Sequence, residues 1–120
     1  RQMCIRDRSS PLAKILSSKS YNANLTVIHS KTSNQKQFIK QADIFISAVG
    51  SAKLYDSSYF KQGATIIDIG ISSVDGKTYG DIDTQNISEV ASYRSPFPGG
   101  VGPVTVSALF FNLSRLVKTN

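Results

Sequence analysis

Short apolar runs alternate with amphipathic stretches along the 120 residues of this chain. The runs are rich in β-branched residues and end at polar residues or glycine, which predicts strands at residues 24–28, 44–49, 64–69 and 92–95. Apolar positions three or four residues apart predict helices at residues 11–19, 33–41 and 103–117, and a brief helix around residues 87–90. Strands and helices that alternate at this spacing are typical of right-handed crossovers, so the pattern predicts an α/β domain with a doubly wound parallel sheet.

Shorter signals refine this outline. Pro11 and Ser33 suit the first positions of the first two helices, Ser33 as an N-cap. The segment Val74–Lys77 has Asp-Gly at its centre, which predicts a hairpin turn. Residues 53–60 are ambiguous and favour a short helical turn in which Leu54 and Phe60 are buried.

The composition restricts the class of protein. Hydrophobic residues make up 40% of the chain and charged residues 18%, which permits a buried core and disfavours disorder. One cysteine and one histidine exclude a disulfide framework and the usual zinc sites, so we expect no metal. The net charge is +6 and the lysines are dispersed, which disfavours nucleic acid as a partner and suits an anionic cofactor or substrate. No segment approaches the roughly 20 apolar residues of a membrane helix, so we expect a soluble domain with no membrane partner.

The predicted strand ends carry the candidate chemistry, because ligands of such sheets bind beyond the carboxyl ends of the strands. Where a dinucleotide binds, the end of the second strand meets the adenosine ribose. Here that end offers the Ser30 hydroxyl and the Lys31 ammonium, which suit the 2′-phosphate of NADP, whereas a carboxylate would repel it. Alone, this segment is more simply a polar loop in which Thr32 or Ser33 caps the next helix, and we assign His29 no catalytic role.

The ends of the next two strands allow two interpretations each. The small residues Ala48–Gly50 leave room for a flat ring against the backbone, although Gly50 equally suits a turn that requires a positive φ. Asp68 interrupts an apolar strand, and we interpret it as a structural carboxylate that accepts hydrogen bonds from neighbouring groups. Asp81 and Asp83 are predicted to be loop and helix-cap residues.

The most distinctive segment is the loop Pro96–Pro103, with six glycine and proline residues in eight positions. Its glycines allow a close approach of backbone to ligand, and its prolines limit the freedom of the free loop. The helix that follows favours an anion or a polar carbonyl at its N-terminus. We therefore predict a stiff ligand-binding wall close to the strand ends at Val49 and Ile69.

Taken together and in this order, six motifs resemble the bifunctional methylenetetrahydrofolate dehydrogenase/methenyltetrahydrofolate cyclohydrolase family. These motifs are His29–Thr32, Gln41–Asp43, Ser47–Gly50, Ile67–Ile71, Gly80–Asp83 and Pro96–Thr105. The resemblance covers residues 11–117 and implies the C-terminal NAD(P)-binding domain of Rossmann-like fold. It also implies an enzyme that oxidises 5,10-methylenetetrahydrofolate with NADP, or with NAD as the alternative, and hydrolyses the product to 10-formyltetrahydrofolate.

The resemblance further implies roles for individual residues. Ser30 would contact the adenosine 2′-phosphate beside Lys31, and Ile71 would lie on the nicotinamide side. Gly50 and Thr105 complete the expected cofactor-binding set. The expected folate-binding residues are Pro98, Gly99, Gly100, Val101 and Gly102.

The chain also departs from the family pattern. The catalytic tyrosine and lysine of the family belong to an N-terminal domain that this chain lacks, so we assign no catalytic residue and expect the chain alone to be inactive. Residues 1–10 are interpreted as a non-native or disrupted segment, and residues 11–120 as the NAD(P)-binding domain. The strand that the family places between those of Val27 and Ile46 is missing, so the sheet is expected to be incomplete at its N-terminus.

The resemblance implies further partners and a location. These are the missing domain, tetrahydrofolate derivatives and a second copy in a homodimer, in the cytoplasm or alternatively in an organelle. The alternative function is a non-catalytic nucleotide-binding or interaction module, since the chain shows no arrangement of nucleophile and base.

Overall fold

The computed structural model describes residues 9–118. Its α-helices are α1 (Ser10–Leu16), α2 (Gln35–Gln41) and α3 (Val101–Lys118). Its strands are β1 (Ile44–Ser47), β2 (Ala64–Asp68), β3 (Ser72–Val74), β4 (Lys77–Tyr79) and β5 (Ala91–Arg94). Single 3₁₀ turns form at Ser57–Tyr59 and Ile87–Glu89. Most of the segment interpreted as non-native, residues 1–8, lies outside the described residues.

The described sheet has three parallel strands in the order β1–β2–β5. The central strand β2 pairs Ile66 with Phe45 on one side and with Arg94 on the other. A 3₁₀ turn lies between β1 and β2, and the β3–β4 hairpin and a second 3₁₀ turn lie between β2 and β5, whereas the α-helices precede β1 or follow β5. The result is a partial Rossmann-like α/β fold, as the sequence predicted. The parallel arrangement brings the carboxyl ends of β1, β2 and β5 to the same edge, where we expect the site.

The core lies beside the middle of this sheet. The Phe45 ring meets the rings of Tyr55 and Phe60 at centroid distances of 5.2 and 5.3 Å. Ile66 and Ile87 are almost completely buried in the same cluster. Burial of Phe60 is confirmed, but burial of Leu54 is wrong, because 43% of that residue is exposed.

The largest departure from the sequence prediction lies at residues 24–28, which form no strand although their side chains favour one. Strand β1 is an edge of the described sheet, and Leu25 and Val27 are exposed. An isolated β-prone segment gains nothing from its propensity unless a neighbouring strand satisfies its backbone and covers its side chains. The predicted strand at residues 24–28 is therefore absent because no strand of the described sheet pairs with it.

The ends of several helices also differ from the predictions. Helix α2 begins after Asn34, whose φ of 57° is left-handed, so the proposed cap at Ser33 is wrong. Helix α3 begins at Val101, two residues before the predicted start at Pro103. The hairpin of β3 and β4 is confirmed, with positive φ at both Asp75 and Gly76 as a tight hairpin turn requires. Within the described residues, no helix is long and apolar enough to cross a membrane.

Candidate functional site

The carboxyl end of β1 is held by one buried carboxylate, that of Asp81. Its Oδ2 atom accepts hydrogen bonds from the Ser47 hydroxyl at 2.5 Å and the Val49 N–H at 2.7 Å, and Oδ1 accepts from the Ser51 N–H at 2.8 Å. These donors bracket Gly50, so Asp81 determines the shape of the turn that follows β1. The prediction that Asp81 lies in a loop is confirmed, but the sequence did not reveal that its side chain is the centre of this buried network.

The carboxyl end of β2 holds the segment that carries Asp81. Asp68 accepts hydrogen bonds from the backbone N–H groups of Gly70, Asp81 and Ile82 at 3.0, 3.2 and 3.0 Å. The sequence interpretation of Asp68 as a structural carboxylate is therefore confirmed. Asp68 therefore fixes the backbone at Asp81, and the Asp81 side chain in turn accepts the hydrogen bonds at the end of β1.

Two glycines allow the strand ends to approach so closely. A β-carbon on Gly70 would overlap the Asp81 carboxyl group, and one on Gly80 would overlap Asp68 Oδ2. The sequence shows Gly70 after an apolar run and the Gly80–Asp81 pair, but not that Gly70 and Asp81 lie against each other.

Burial raises the pKa of Asp68 above its usual 3.8, and the neighbouring Asp81 charge acts in the same direction. The three N–H donors oppose this shift but do not cancel it. The folded domain therefore holds the Asp68 proton more tightly than the unfolded chain does. Because of this difference, protonation of Asp68 stabilises the fold as the pH falls through its folded pKa towards 3.8. That contribution is lost as the pH rises.

We expect this linkage to appear in urea unfolding of the chain and of Asp68→Asn between about pH 4 and pH 7. Asparagine does not titrate, so the free energy of unfolding of the unmodified chain should rise relative to that of the variant as the pH is lowered. A relative rise with increasing pH would mean that the folded state lowers the pKa of Asp68.

The segment after residues 24–28 forms a tight polar turn. The Thr32 N–H donates to the His29 carbonyl at 2.8 Å, the His29 N–H donates to Thr32 Oγ1 at 3.0 Å, and the Lys31 N–H donates to His29 Nδ1 at 3.3 Å. These bonds place His29 and Thr32 in a local structural role and leave Ser30 and Lys31 exposed at the apex. Ser30 lines a cavity of about 350 Å³ together with Ser47, Val49 and Ser51.

Of the other predicted cofactor residues, Gly50 and Ile71 are neighbours, whereas Thr105 bonds within α3. Gly50 has a φ of +72°, and a β-carbon there would lie 3.5 Å from the Ile71 carbonyl oxygen, so these two residues are close neighbours. The Ile71 side chain is exposed. Thr105 lies in α3, where its hydroxyl donates to the Val101 carbonyl at 3.0 Å.

The proline-glycine loop follows β5, and its start is held beside the carboxyl end of β2. The Ser95 N–H donates to the Ile66 carbonyl at 2.9 Å, and Ser95 Oγ accepts from the Asp68 N–H at 2.8 Å. Phe97 packs near Gly80, and the Phe97–Pro98 peptide bond is cis. The loop therefore lies beside the Asp68 network, at the edge where the sequence predicted it.

Within the loop, Pro98, Gly99 and Gly102 are exposed, and Gly100 and Val101 are half-buried. Gly99 has a φ of +94°, which a side chain disfavours. A β-carbon on Gly100 would overlap the Pro96 carbonyl oxygen, so the loop folds back closely on itself. This backbone offers a ligand a preformed surface with few side chains.

The donor chemistry at this edge suits an anionic nucleotide. Ser30 and Lys31 offer a hydroxyl and an ammonium group to a phosphate, and the small residues at the end of β1 leave space for a flat ring. Among residues 9–118, no three histidine, cysteine, aspartate or glutamate side chains are grouped to hold a metal ion.

Comparison with known proteins places this geometry in context. Residues 8–120 match the sequence pattern of the tetrahydrofolate dehydrogenase/cyclohydrolase NAD(P)-binding domain. The chain is 48% identical over 97 residues to the bifunctional protein FolD of Halalkalibacterium halodurans, and 43% identical over 108 residues to that of Lactobacillus helveticus. These matches cover 81% and 90% of this chain but only 35% and 38% of the relatives.

Solved structures of proteins from this family also superpose on the chain. The bifunctional FolD methylenetetrahydrofolate dehydrogenase/cyclohydrolase of Campylobacter jejuni superposes with a TM-score of 0.85 at 36% identity, over 92% of this chain and 39% of that one. The Trypanosoma brucei enzyme, solved with NADP cofactor and an inhibitor, superposes with a TM-score of 0.77 at 36% identity, over 86% of this chain and 37% of that one.

Proposed function

Because this chain belongs to the tetrahydrofolate dehydrogenase/cyclohydrolase family, as its NAD(P)-binding domain, we propose that it positions NADP against a folate in a bifunctional enzyme. That enzyme oxidises 5,10-methylenetetrahydrofolate to methenyltetrahydrofolate and hydrolyses the product to 10-formyltetrahydrofolate. The observation that carries the proposal is the convergence of the Gly50 turn, Ile71 and the proline-glycine loop around the Asp68–Asp81 network.

The bound cofactor accepts a hydride at its nicotinamide ring, and this chain orients the two reactants. In the proposal, Ser30 and Lys31 bind the 2′-phosphate, and Gly50 and Ile71 border the nicotinamide. Thr105 completes the cofactor contacts from α3. The backbone from Pro98 to Gly102 forms the wall against which the folate ring lies, and its rigidity limits the distance between the reacting carbon atoms.

The proposal assigns catalysis to polypeptide outside this chain. The chain spans 35–38% of the length of the curated relatives that it matches, so the remaining polypeptide has ample length to contribute the reacting groups. Helix α3 also exposes large apolar side chains, including Leu109, Phe110 and Leu113, which would be covered in the larger protein. A homodimer and a cytoplasmic location belong to the same proposal.

The proposal is tested with a chimera in which residues 11–120 of this chain replace the corresponding domain of the Halalkalibacterium halodurans relative. We expect the chimera to reduce NADP in the presence of 5,10-methylenetetrahydrofolate and to hydrolyse methenyltetrahydrofolate, and the chain alone to do neither. A folded chimera that binds NADP but catalyses neither reaction would favour the non-catalytic nucleotide-binding module.

The same chimera tests the phosphate contact through Lys31→Glu. Because a charge-assisted hydrogen bond contributes about 1.5–3 kcal/mol, we expect the KM for NADP to rise roughly 10- to 100-fold, with little change in the KM for NAD. Lys77→Glu makes the same change of charge in β4, at a residue that does not line the cavity beside Ser30, and should leave both values unchanged. An equal rise in both KM values would contradict the assignment.

A further inference from the structure

Residues 29–32 form a tight turn, which we call the phosphate turn. The proposed function assigns the 2′-phosphate of NADP to the two residues at its apex, Ser30 and Lys31. The side chains of the two outer residues, His29 and Thr32, bond to the backbone of the turn and have no role in that proposal. Their hydrogen bonds show what they do for the apex.

The His29 side chain holds the apex through one ring nitrogen. Its Nδ1 atom accepts a hydrogen bond at 3.3 Å from the N–H of Lys31, two residues further along the chain. An asparagine or aspartate oxygen forms the same type of bond in an Asx turn. Nδ1 of histidine and Oδ1 of asparagine are both bonded to Cγ, so asparagine is the natural substitute for the acceptor of His29.

The Thr32 side chain closes the turn from its other end. Its Oγ1 atom accepts from the His29 N–H at 3.0 Å, while the Thr32 N–H donates to the His29 carbonyl at 2.8 Å. The Gln35 side chain donates through Nε2 to the same carbonyl at 3.0 Å and ties the turn to α2. The two outer residues are therefore bonded to each other and to a helix.

The apex depends on these bonds because it is exposed. Ser30 and Lys31 both lie at the surface, so burial does not fix their conformation. A flexible apex loses conformational freedom when it binds a phosphate, and this loss lowers the affinity. The bonds of His29 and Thr32 restrict the apex before a ligand is present, so less freedom is lost on binding.

We propose that His29 and Thr32 are positioning residues for the 2′-phosphate of NADP, because their side chains hold Ser30 and Lys31 in the conformation that binds it. This inference rests on the proposed function and deepens it, since it identifies residues that act on the preference for NADP over NAD through the two apical residues. NAD carries a hydroxyl group in place of this phosphate, so loosening the turn weakens NADP binding selectively.

Isothermal titration of the chimera with NADP and with NAD, without folate, tests the role of His29. His29→Ala removes the Nδ1 acceptor, so we expect the Kd for NADP to rise about three- to tenfold and the Kd for NAD to change less than about twofold. His29→Asn restores an acceptor on Cγ and should keep the Kd for NADP within about twofold of that of the unmodified chimera. If H29A weakens both cofactors equally, or if H29N binds NADP as poorly as H29A, the proposal is wrong.

Thr32→Val and Thr32→Ser examine the other end of the turn in the same titrations. Valine keeps the shape of threonine without the acceptor, whereas serine keeps the hydroxyl group. T32V should therefore raise the Kd for NADP selectively, and T32S should not. Equal Kd values for T32V and T32S would contradict the role of the hydroxyl group.

Ser33→Ala is the matched control for both pairs of variants. Ser33 is exposed next to the turn, and its hydroxyl group takes part in none of the bonds that close it. The Kd values for NADP and NAD should both be unchanged in S33A. A selective rise for NADP in this variant would show that any change near the turn has the effect ascribed to His29 and Thr32.

Amide hydrogen exchange of the chimera without cofactor measures the order of the apex directly. An amide that loses its acceptor is protected less, so the Lys31 N–H should exchange several times faster in H29A than in the unmodified chimera, and H29N should restore slow exchange. Equal exchange rates in all three proteins would show that Nδ1 does not hold the Lys31 backbone, and would overturn the proposal.

Comparison with Lys31→Glu separates this inference from the proposed function. If K31E weakens NADP binding selectively and neither H29A nor T32V does, the phosphate contact stands and the positioning role is excluded. If K31E is also without effect, the phosphate contact itself is wrong.

Discussion

Asp81→Ala is expected to abolish cooperative folding of the domain. The substitution leaves the Ser47 hydroxyl and the Val49 and Ser51 N–H groups without their acceptor at the end of β1. Hydrogen bonds to a charged group contribute about 1.5–3 kcal/mol each, so the three together account for about 4.5–9 kcal/mol. Domains of this size are stable by only about 5–15 kcal/mol. Urea unfolding followed by circular dichroism measures the effect.

The matched control is Asp83→Ala, the same substitution two residues along the chain. Asp83 accepts from the Gln85 N–H at 3.3 Å in an exposed turn, so its loss should cost no more than about 1 kcal/mol. Gly70→Ala disturbs the same carboxylate by crowding, because the added β-carbon would overlap the Asp81 carboxyl group. If D81A and D83A are equally stable, the buried network does not hold the strand ends.

Gly100→Ala is expected to reduce kcat/KM of the chimera for methylenetetrahydrofolate about a hundredfold, the usual consequence of a misplacement of about 1 Å at a reacting centre. A β-carbon on Gly100 would overlap the Pro96 carbonyl oxygen, so the loop must open to accept it. The backbone of Gly100 does not lie at positive φ, which means that crowding alone, without conformational strain, causes the effect. Steady-state kinetics with both substrates measures it.

Gly76→Ala provides the comparison for this prediction. Gly76 has a φ of +73° at the hairpin tip and no atom within 4 Å of an added β-carbon, so the variant introduces strain without crowding. It should cost about 1 kcal/mol of stability and leave kcat/KM unchanged. Normal turnover by G100A at normal stability would exclude the loop as the folate wall.

The sequence predicted well wherever local interactions decide the structure. The apolar runs at β1 and β2 and the Asp75–Gly76 turn carry their own signals, since side-chain burial and positive φ are properties of a few adjacent residues. The density of glycine and proline marked Pro96–Pro103 as a rigid loop, and the structure places its start beside Asp68.

What the sequence alone determined is the class of fold, the family and the order of the strand ends, because the alternation of apolar runs and the glycine motifs are encoded in consecutive residues. Only the tertiary structure decided the role of Asp81, whose bonding partners Ser47, Val49 and Ser51 lie 30 to 34 positions away. It also decided that residues 24–28 form no strand, because β structure requires a neighbour to satisfy its backbone and propensity cannot supply one.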